Sequence, residues 1–276
     1  MQHRAPTMLA ILDFEATCAD AADTDWSTSK QEIIEFPVAL VSANDGSAID
    51  TFSTFVRPVH QPVLTAFCTK LTTIRQEEVD GAPDISDVLT RFQSWLAQHG
   101  ADDNNTCVVT CGDWDLRRMW PQQASLVPGL RTPPLFRSWA NIKTVFHAHT
   151  GIKPSGMMSM LNHFSLEHQG IHHRGIDDVE NLSRLVVRLL SDRAVIAATW
   201  SATERHAERH HHEMKWNEAR QRLEHKALAR SRMPSTVAAT VTAAHDSSIA
   251  QQRSEVERLR RLVEVFDPAA GDHTGS

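Results

Sequence analysis

Positive charge is the first thing in short supply. Across 276 residues, 28 Lys and Arg face 34 Asp and Glu, a formal net charge of −6, which argues against a protein that coats nucleic acid by bulk electrostatics alone. The deficit is uneven: residues 1–203 hold 16 basic and 23 acidic side chains (−7), and residues 204–276 hold 12 and 11 (+1). Cysteine is sparse as well, with four residues at 18, 68, 107 and 111 and no CxxC spacing. They read as reduced core thiols, with a Cys107/Cys111 metal pair as the weaker rival. No apolar run is long enough to cross a membrane. Nothing resembles a signal peptide, because the first apolar run is short and ends in Asp13. The expectation is an intracellular protein, cytoplasmic or nuclear, with an organelle left open. Apolar residues make up 41% of the chain and charged residues 22%, enough for a sizeable core.

Periodicity gives a mixed α/β reading. Strands are expected in LAIL at 9–12, EFPVALVSA at 35–43, AIDTFSTFV at 48–56 and TCVVTCG at 106–112, with a short fifth at 135–138. NDG at 44–46 marks a hairpin turn. In DISDVLTRFQSWLAQHG, Val88, Leu89, Phe92, Trp95 and Leu96 form one helical face, capped by Asp84 and ended by Gly100. Further helical segments are expected near 113–120, 141–149, 155–164 and 178–191. Met157, Met158 and Met160 read as core packing. Three strands followed by strand–helix alternation indicate a mixed sheet flanked by helices.

Composition changes at residue 204. A core domain over 1–203 is followed by a charged helical extension at 204–230, with a thin apolar stripe of Trp216, Ala219, Leu223 and Ala227. Its basic face could follow an RNA backbone or simply be solvated. His210–His212 point in different directions on a helix and read as solvated, not as a zinc site. A low-complexity linker covers 231–248. In the C-terminal amphipathic helix and tail, 249–276, Ile249, Val256 and Val263 recur every seven residues, joined by Leu259 and Phe266. That seam suggests a protein partner or self-association through residues 249–266.

The acids carry the chemistry. Asp13 and Glu15 are two apart on a strand, so both leave the same face. Two such carboxylates repel unless a cation shares the site, and a hard ion such as Mg²⁺ or Mn²⁺ would turn repulsion into attraction. The plainer alternative is a strand end whose acids reach water. Asp113 and Asp115 follow the fourth strand, where neighbouring strand ends gather their loops. Asp115 is the better ligand on spacing, and Asp113 is a candidate helix cap. Asp178 stands in the first turn of a helix whose Leu182, Leu185, Val186 and Leu189 face the core, with His173 in the loop five residues upstream.

D-x-E, then an isolated Asp after a later strand, then H-x4-D, resembles the DEDD exonucleases of the His subtype. More narrowly, DFEATC, EIIEFPVALV, TFVRP, FCTKLTTI, VDGAP, GDWD and HRGIDD resemble the Eri-type 3′–5′ exoribonucleases, the histone-mRNA exonuclease group, over about residues 8–192. A sister subtype uses Tyr where this one uses His, and the chain contains no Tyr. The resemblance implies a ribonuclease H-like fold, a five-stranded mixed sheet flanked by helices. It also implies two Mg²⁺ ions per site, with Mn²⁺ as a substitute, held by Asp13, Glu15, Asp115 and Asp178. Glu15 and Asp178 match ligands of the first metal, Asp13 of both and Asp115 of the second. His173 matches the general base; His172 would reach Asp177 at the same spacing, but the position of Gly175 selects His173 with Asp178.

By the same resemblance, Leu71 and Ile74 pack on the terminal base, unless they are merely core, and Ala16 and Thr17 meet the terminal ribose. Many members carry Gly where this chain has Thr73, a costly exchange if the backbone there needs a positive φ. Some carry a small nucleic-acid-binding domain before the nuclease; about seven residues precede this core, so stem-loop recognition of that kind is not expected. The reading is a 3′–5′ exoribonuclease acting on single-stranded RNA 3′ ends and releasing nucleoside 5′-monophosphates. Its alternatives are a proofreading-type DNA exonuclease and an inactive nucleic-acid-binding or scaffold protein.

Overall fold

Strand β1 (Met8–Leu12) is the pivot of the sheet, pairing antiparallel with β3 (Ile33–Ser42) on one side and parallel with β5 (Thr106–Thr110) on the other. Beyond β3 lies β4 (Ala48–Phe55), antiparallel; beyond β5 lies β6 (Ser138–Asn141), parallel. These five strands make the expected mixed sheet. Two dipeptide strands extend it to seven: β2 (Glu15–Ala16) on β3 and β7 (Trp200–Ser201) on β6. Both are too short to leave a periodic signal. The computed structural model describes residues 5–201 other than 21, 22 and 24, with a few single helical positions between 215 and 257. The chain divides into two compact units, Met1–Ser201 and Ala202–Ser276. In the second, Ala219 and Val256 are helical. His210–His212, the rest of both apolar patterns and the 231–248 linker lie outside the described residues.

Alternation along β1 sorts the core into two layers. Ala10 and Leu12 join Phe36, Val38 and Leu40 under α3 (Ile85–Gln98), whose Val88, Leu89, Phe92, Trp95 and Leu96 are all buried. Leu9 and Ile11 turn the other way, against α5 (Ile142–Thr150), α6 (Met157–His163) and α7 (Gly175–Ser191). Helix α7 contributes Val179, Leu182, Leu185, Val186 and Leu189 to that layer. β3 is buried on both faces over nine of its ten residues, since it lies inside the sheet and both layers cover it. Asp84 caps α3 as expected, accepting from Ser86 N at 3.0 Å and Asp87 N at 3.1 Å.

Several elements differ from the sequence reading. The fifth strand lies at Ser138–Asn141, and Pro134–Arg137 before it forms a 3-10 turn, where prolines fix φ and remove donors. The segment after β5 is a π-helical turn, Asp115–Met119, which runs into α4 (Trp120–Leu126). Helices α1 (Ala66–Thr72) and α2 (Gln76–Asp80) went unread because each spans two turns or fewer. Asp113 does not cap a helix; its Oδ1 accepts from Trp139 Nε1 at 2.9 Å. Met157 and Met160 are core residues, but Met158 is exposed. All four cysteines are free; Cys68 and Cys107 are buried, and Cys18 and Cys111 are only partly so.

Thr73 closes α1 in the left-handed region, φ 61° and ψ 5°, with its N–H bonded to Thr69 O at 2.9 Å. A residue with a Cβ loses about 1–2 kcal/mol in that conformation, whereas glycine adopts it freely at some entropic cost. Thr73→Gly should therefore stabilise the protein by about 1 kcal/mol, a rise in Tm of roughly 2–4 °C in a thermal melt. An unchanged or lower Tm would mean that the threonine side chain makes contacts that outweigh the strain.

Candidate active site

The parallel pairing of β1 and β5 sets Ile11 opposite Val109, so both chains leave the sheet at the same edge. Asp13 follows β1 directly, and Glu15 opens β2 two residues later. Phe14 between them turns into the core, 3% exposed, with its ring 4.7 Å from Phe36. That single inward anchor leaves both acids on the opposite side. From β5 comes Asp115, 3% exposed, at the first position of the π-helical turn. Its Oδ1 accepts from Phe14 N at 2.9 Å, which ties the two strand ends together through the residue between the acids. π-turns are rare and concentrate at functional sites.

Helix α7 brings the fourth acid. Asp178, 2% exposed, accepts from His173 N through Oδ2 at 2.9 Å. This bond closes the loop before the helix and holds His173 at φ 66°. The start of α7 is fixed from β3 by Glu35, also 2% exposed. Glu35 Oε2 accepts from Gly175 N at 2.9 Å, and Arg174 Nε lies 3.7 Å from its Oε1. Arg174 reaches on to Glu78 Oε1 at 3.2 Å, and its guanidinium sits over the Phe55 ring. Gly175 has to be glycine. A Cβ there would stand 2.9 Å from Pro37 Cγ and 3.0 Å from the Asp13 carbonyl oxygen.

The electrostatics are those of a site short of positive charge. Burial pushes Asp13 well above the usual carboxylate range, and Asp115, Asp178 and Glu35 push it further. Burial and then Asp13 carry Glu15 up to about 10. Asp115 rises to about 6, again by burial, restrained by the Phe14 N–H and by Lys143. Asp178 is raised by burial against the pull of the His173 N–H and of His172. Its Oδ1 is buried and, among the described residues, has no hydrogen-bond partner, with His168 Nε2 3.5 Å away. Four carboxylates that interact, one with an orphaned oxygen, form an all-oxygen donor set that fits hard divalent cations. His173 is moved the other way: burial and then His172 lower its pKa. At neutral pH its ring is therefore uncharged and able to accept a proton.

A cleft of about 330 Å³ opens beside the acids, lined by Asp13, Glu15, Asp178, His172 and His173. Ala16 and Leu71 line it as expected. Thr17 does not: it is 2% exposed, and its Oγ1 accepts from Glu32 N at 3.0 Å, inside the turn that joins β2 to β3. Ile74 also lies elsewhere, fully buried with Ile34, Leu64, Cys68 and Val79 beneath α1. In their place the cleft gains Gln31, Thr72, Trp114 and Met157. Trp114 stands 44% exposed next to Asp115. Glu35 left a signal that could have been followed, since an acid inside an apolar strand needs a buried partner. Gln31 and Trp114 left none, as polar and aromatic loop residues are common.

The RNase_T exonuclease family matches residues 10–186. ERI1 exoribonuclease 3 of Homo sapiens is 40% identical over 182 residues, covering 65% of this chain and 52% of that protein. The chain therefore spans about half the length of the first curated relatives it matches. The 3′-5′ exonuclease Snipper of Drosophila melanogaster is 31% identical over 206 residues, 70% of this chain and 72% of that one. Among solved structures, the nuclease domain of 3′hExo, a DEDDh family member bound to rAMP, superposes with TM-score 0.65 at 30% identity, covering 71% of this chain and 98% of the other. The fold agrees with these relatives, and the chain belongs to the RNase_T exonuclease family as a DEDDh member with a ribonuclease H-like fold.

Proposed function

We propose that the chain is a 3′–5′ exoribonuclease that hydrolyses single-stranded RNA 3′ ends to nucleoside 5′-monophosphates. The observation that carries the reading is the convergence of Asp13, Glu15, Asp115 and Asp178, from three separate elements, beside a histidine held neutral. Glu15 and Asp178 would hold a first divalent ion, Asp115 a second, and Asp13 both. Two Mg²⁺ ions, with Mn²⁺ as a substitute, would supply Lewis acidity, neutralising phosphate charge and making water a better nucleophile. His173 accepts the proton of the attacking water at its free ring nitrogen. The His173 N–H bond to Asp178 keeps that ring beside the acids rather than free in the loop. Leu71, Trp114 and Met157 offer apolar walls for the terminal base. A cleft of about 330 Å³ suits a terminal nucleotide, not a long strand. With the Thr17 hydroxyl occupied, Gln31, which lines the cleft with Ala16 and donates Nε2 to Thr17 O at 2.8 Å, is a polar group left for the sugar through its Oε1.

End-labelled RNA incubated with and without Mg²⁺ tests the reading directly. Asp13→Ala, Glu15→Ala and Asp178→Ala should each reduce release of mononucleotides to background, and Mg²⁺ or Mn²⁺ should restore a chelated wild type. Full activity in excess EDTA would overturn the metal assignment. A second readout is thermal stability. Glu15 is raised from 4.5 to about 10, so between those values the folded, metal-free protein holds a proton that the unfolded chain releases. Its contribution to stability is therefore present below about pH 4.5 and is lost as pH rises toward 10. A divalent ion replaces that proton, so Mg²⁺ should raise Tm more at pH 8 than at pH 5.5. An equal shift at both pH values would mean that Mg²⁺ binds elsewhere.

His173→Ala should cut the rate by about 10²–10⁴, the usual worth of a positioned base, while leaving the Mg²⁺-induced Tm shift in place. In the wild type, kcat/KM should rise with pH and level off with a midpoint below 6.5, because the base works only when neutral and its pKa is lowered. A midpoint above 6.5, or a larger loss in His172→Ala than in His173→Ala, would assign the proton transfer to another group.

Sugar choice has its own test. Oligonucleotides of one sequence, varied only in the last two sugars, should be cleaved faster with ribose than with deoxyribose, since the 2′-OH is the one group that separates them. Equal or faster cleavage of the deoxy ends would favour a DNA-degrading role.

A further inference from the structure

Asp178 is crowded by three histidines, His168, His172 and His173, of which the hydrolytic reading uses only His173. The rings of His172 and His173 stack at 4.0 Å between centroids, 29° from parallel. One nitrogen from each and one oxygen of Asp178 lie within 4.8 Å of one another. Asp178, which the hydrolytic reading also gives to the first Mg²⁺, offers Oδ1 to such a set: Oδ2 is taken by the His173 N–H, and Oδ1 is buried with no hydrogen-bond partner among the described residues. His168 braces it from behind, with Nε2 3.5 Å from Oδ1 and its own ring 5.7 Å from that of His172.

This donor set differs in kind from the four acids. Mg²⁺ selects oxygen, whereas two imidazoles and a carboxylate are ligands for Zn²⁺, at about 2.0–2.2 Å. The three donors must draw together to reach that distance, and His172, the exposed member, is the one with room to move. We propose that His172, His173 and Asp178 form a third cation site, selective for a borderline transition metal such as Zn²⁺, and that filling it switches the nuclease off. The inhibitory half rests on the reading of His173 as the general base. A metal on that ring nitrogen takes the lone pair that would accept the proton, and the same ion draws on Asp178. His172 confers the selectivity, because without it only one of the set's two imidazoles remains.

The test uses the full-length chain at saturating Mg²⁺, with ZnCl₂ titrated against cleavage of end-labelled RNA, each variant normalised to its own uninhibited rate. Zn²⁺ should inhibit the wild type, and His172→Asn should need about tenfold more Zn²⁺ or beyond, the scale of losses at tuned metal sites. Equal sensitivity of the two proteins would overturn the proposal, since it would seat Zn²⁺ among the four acids without help from His172. Binding is read separately from the visible absorption of Co²⁺ added with Mg²⁺ present. The wild-type-minus-His172→Asn difference should show one ion with nitrogen ligands, and it discounts any metal held by the histidine-rich 204–230 segment. No difference spectrum would remove the site. A difference spectrum with no Mg²⁺-dependent cleavage would keep the site and defeat the hydrolytic reading, and Zn²⁺ bound through His172 without inhibition would defeat the switch.

Discussion

Mutual repulsion among buried carboxylates is the constraint around which the rest of this fold is arranged. Asp13, Glu15, Asp115 and Asp178 each make the others harder to ionise, and burial makes all of them harder still. A chain left to itself would splay such groups into water. Backbone N–H groups prevent that here: Phe14 N holds Asp115 and His173 N holds Asp178. Each bond joins segments that arrive from different parts of the sequence or closes the loop beside the site. The apolar layers then fix the directions, with Phe14 anchored on one side of the sheet and α7 on the other. The stability given up at the site is recovered in the core that encloses it.

The acids are legible in the amino-acid sequence because their chemistry is extreme. An apolar strand that ends in two carboxylates, or a helix that opens on Asp178 after a histidine, contradicts its local pattern, and such contradictions mark function. The long, strongly periodic elements are legible for the opposite reason: α3 obeys its pattern throughout, and β3 and α7 obey theirs apart from the buried polar residues near the site. What escapes is short or indirect. Helices α1 and α2 are set by caps and tertiary contacts, not by periodicity. Resemblance assigns Thr17 and Ile74 to the substrate, and both are claimed by the interior, Thr17 through Glu32 N and Ile74 through the core beneath α1. A motif fixes which residues occur near a site; it does not fix which way each one faces. Thr73 is the converse case, where a departure from a family glycine points correctly to a left-handed backbone.

Glu35 shows why being buried and acidic is not enough to make a ligand. It faces the same cluster, pairs across the sheet with Glu15, and is raised by the same burial. Its charge is nevertheless answered by the protein itself, through Arg174 and the Gly175 and Ile176 N–H groups at the start of α7. The helix N-terminus and the guanidinium do for Glu35 what a cation must do for the other four. The fifth acid is thereby converted from a competitor for metal into a fixture. It holds the first turn of α7 against β3, and that turn carries Asp178. The division between the answered carboxylate and the unanswered ones defines the edge of the site more sharply than distance does. It also explains why Gly175 leaves no room for a side chain: a Cβ there would part the helix start from Glu35 and from the Asp13 backbone together.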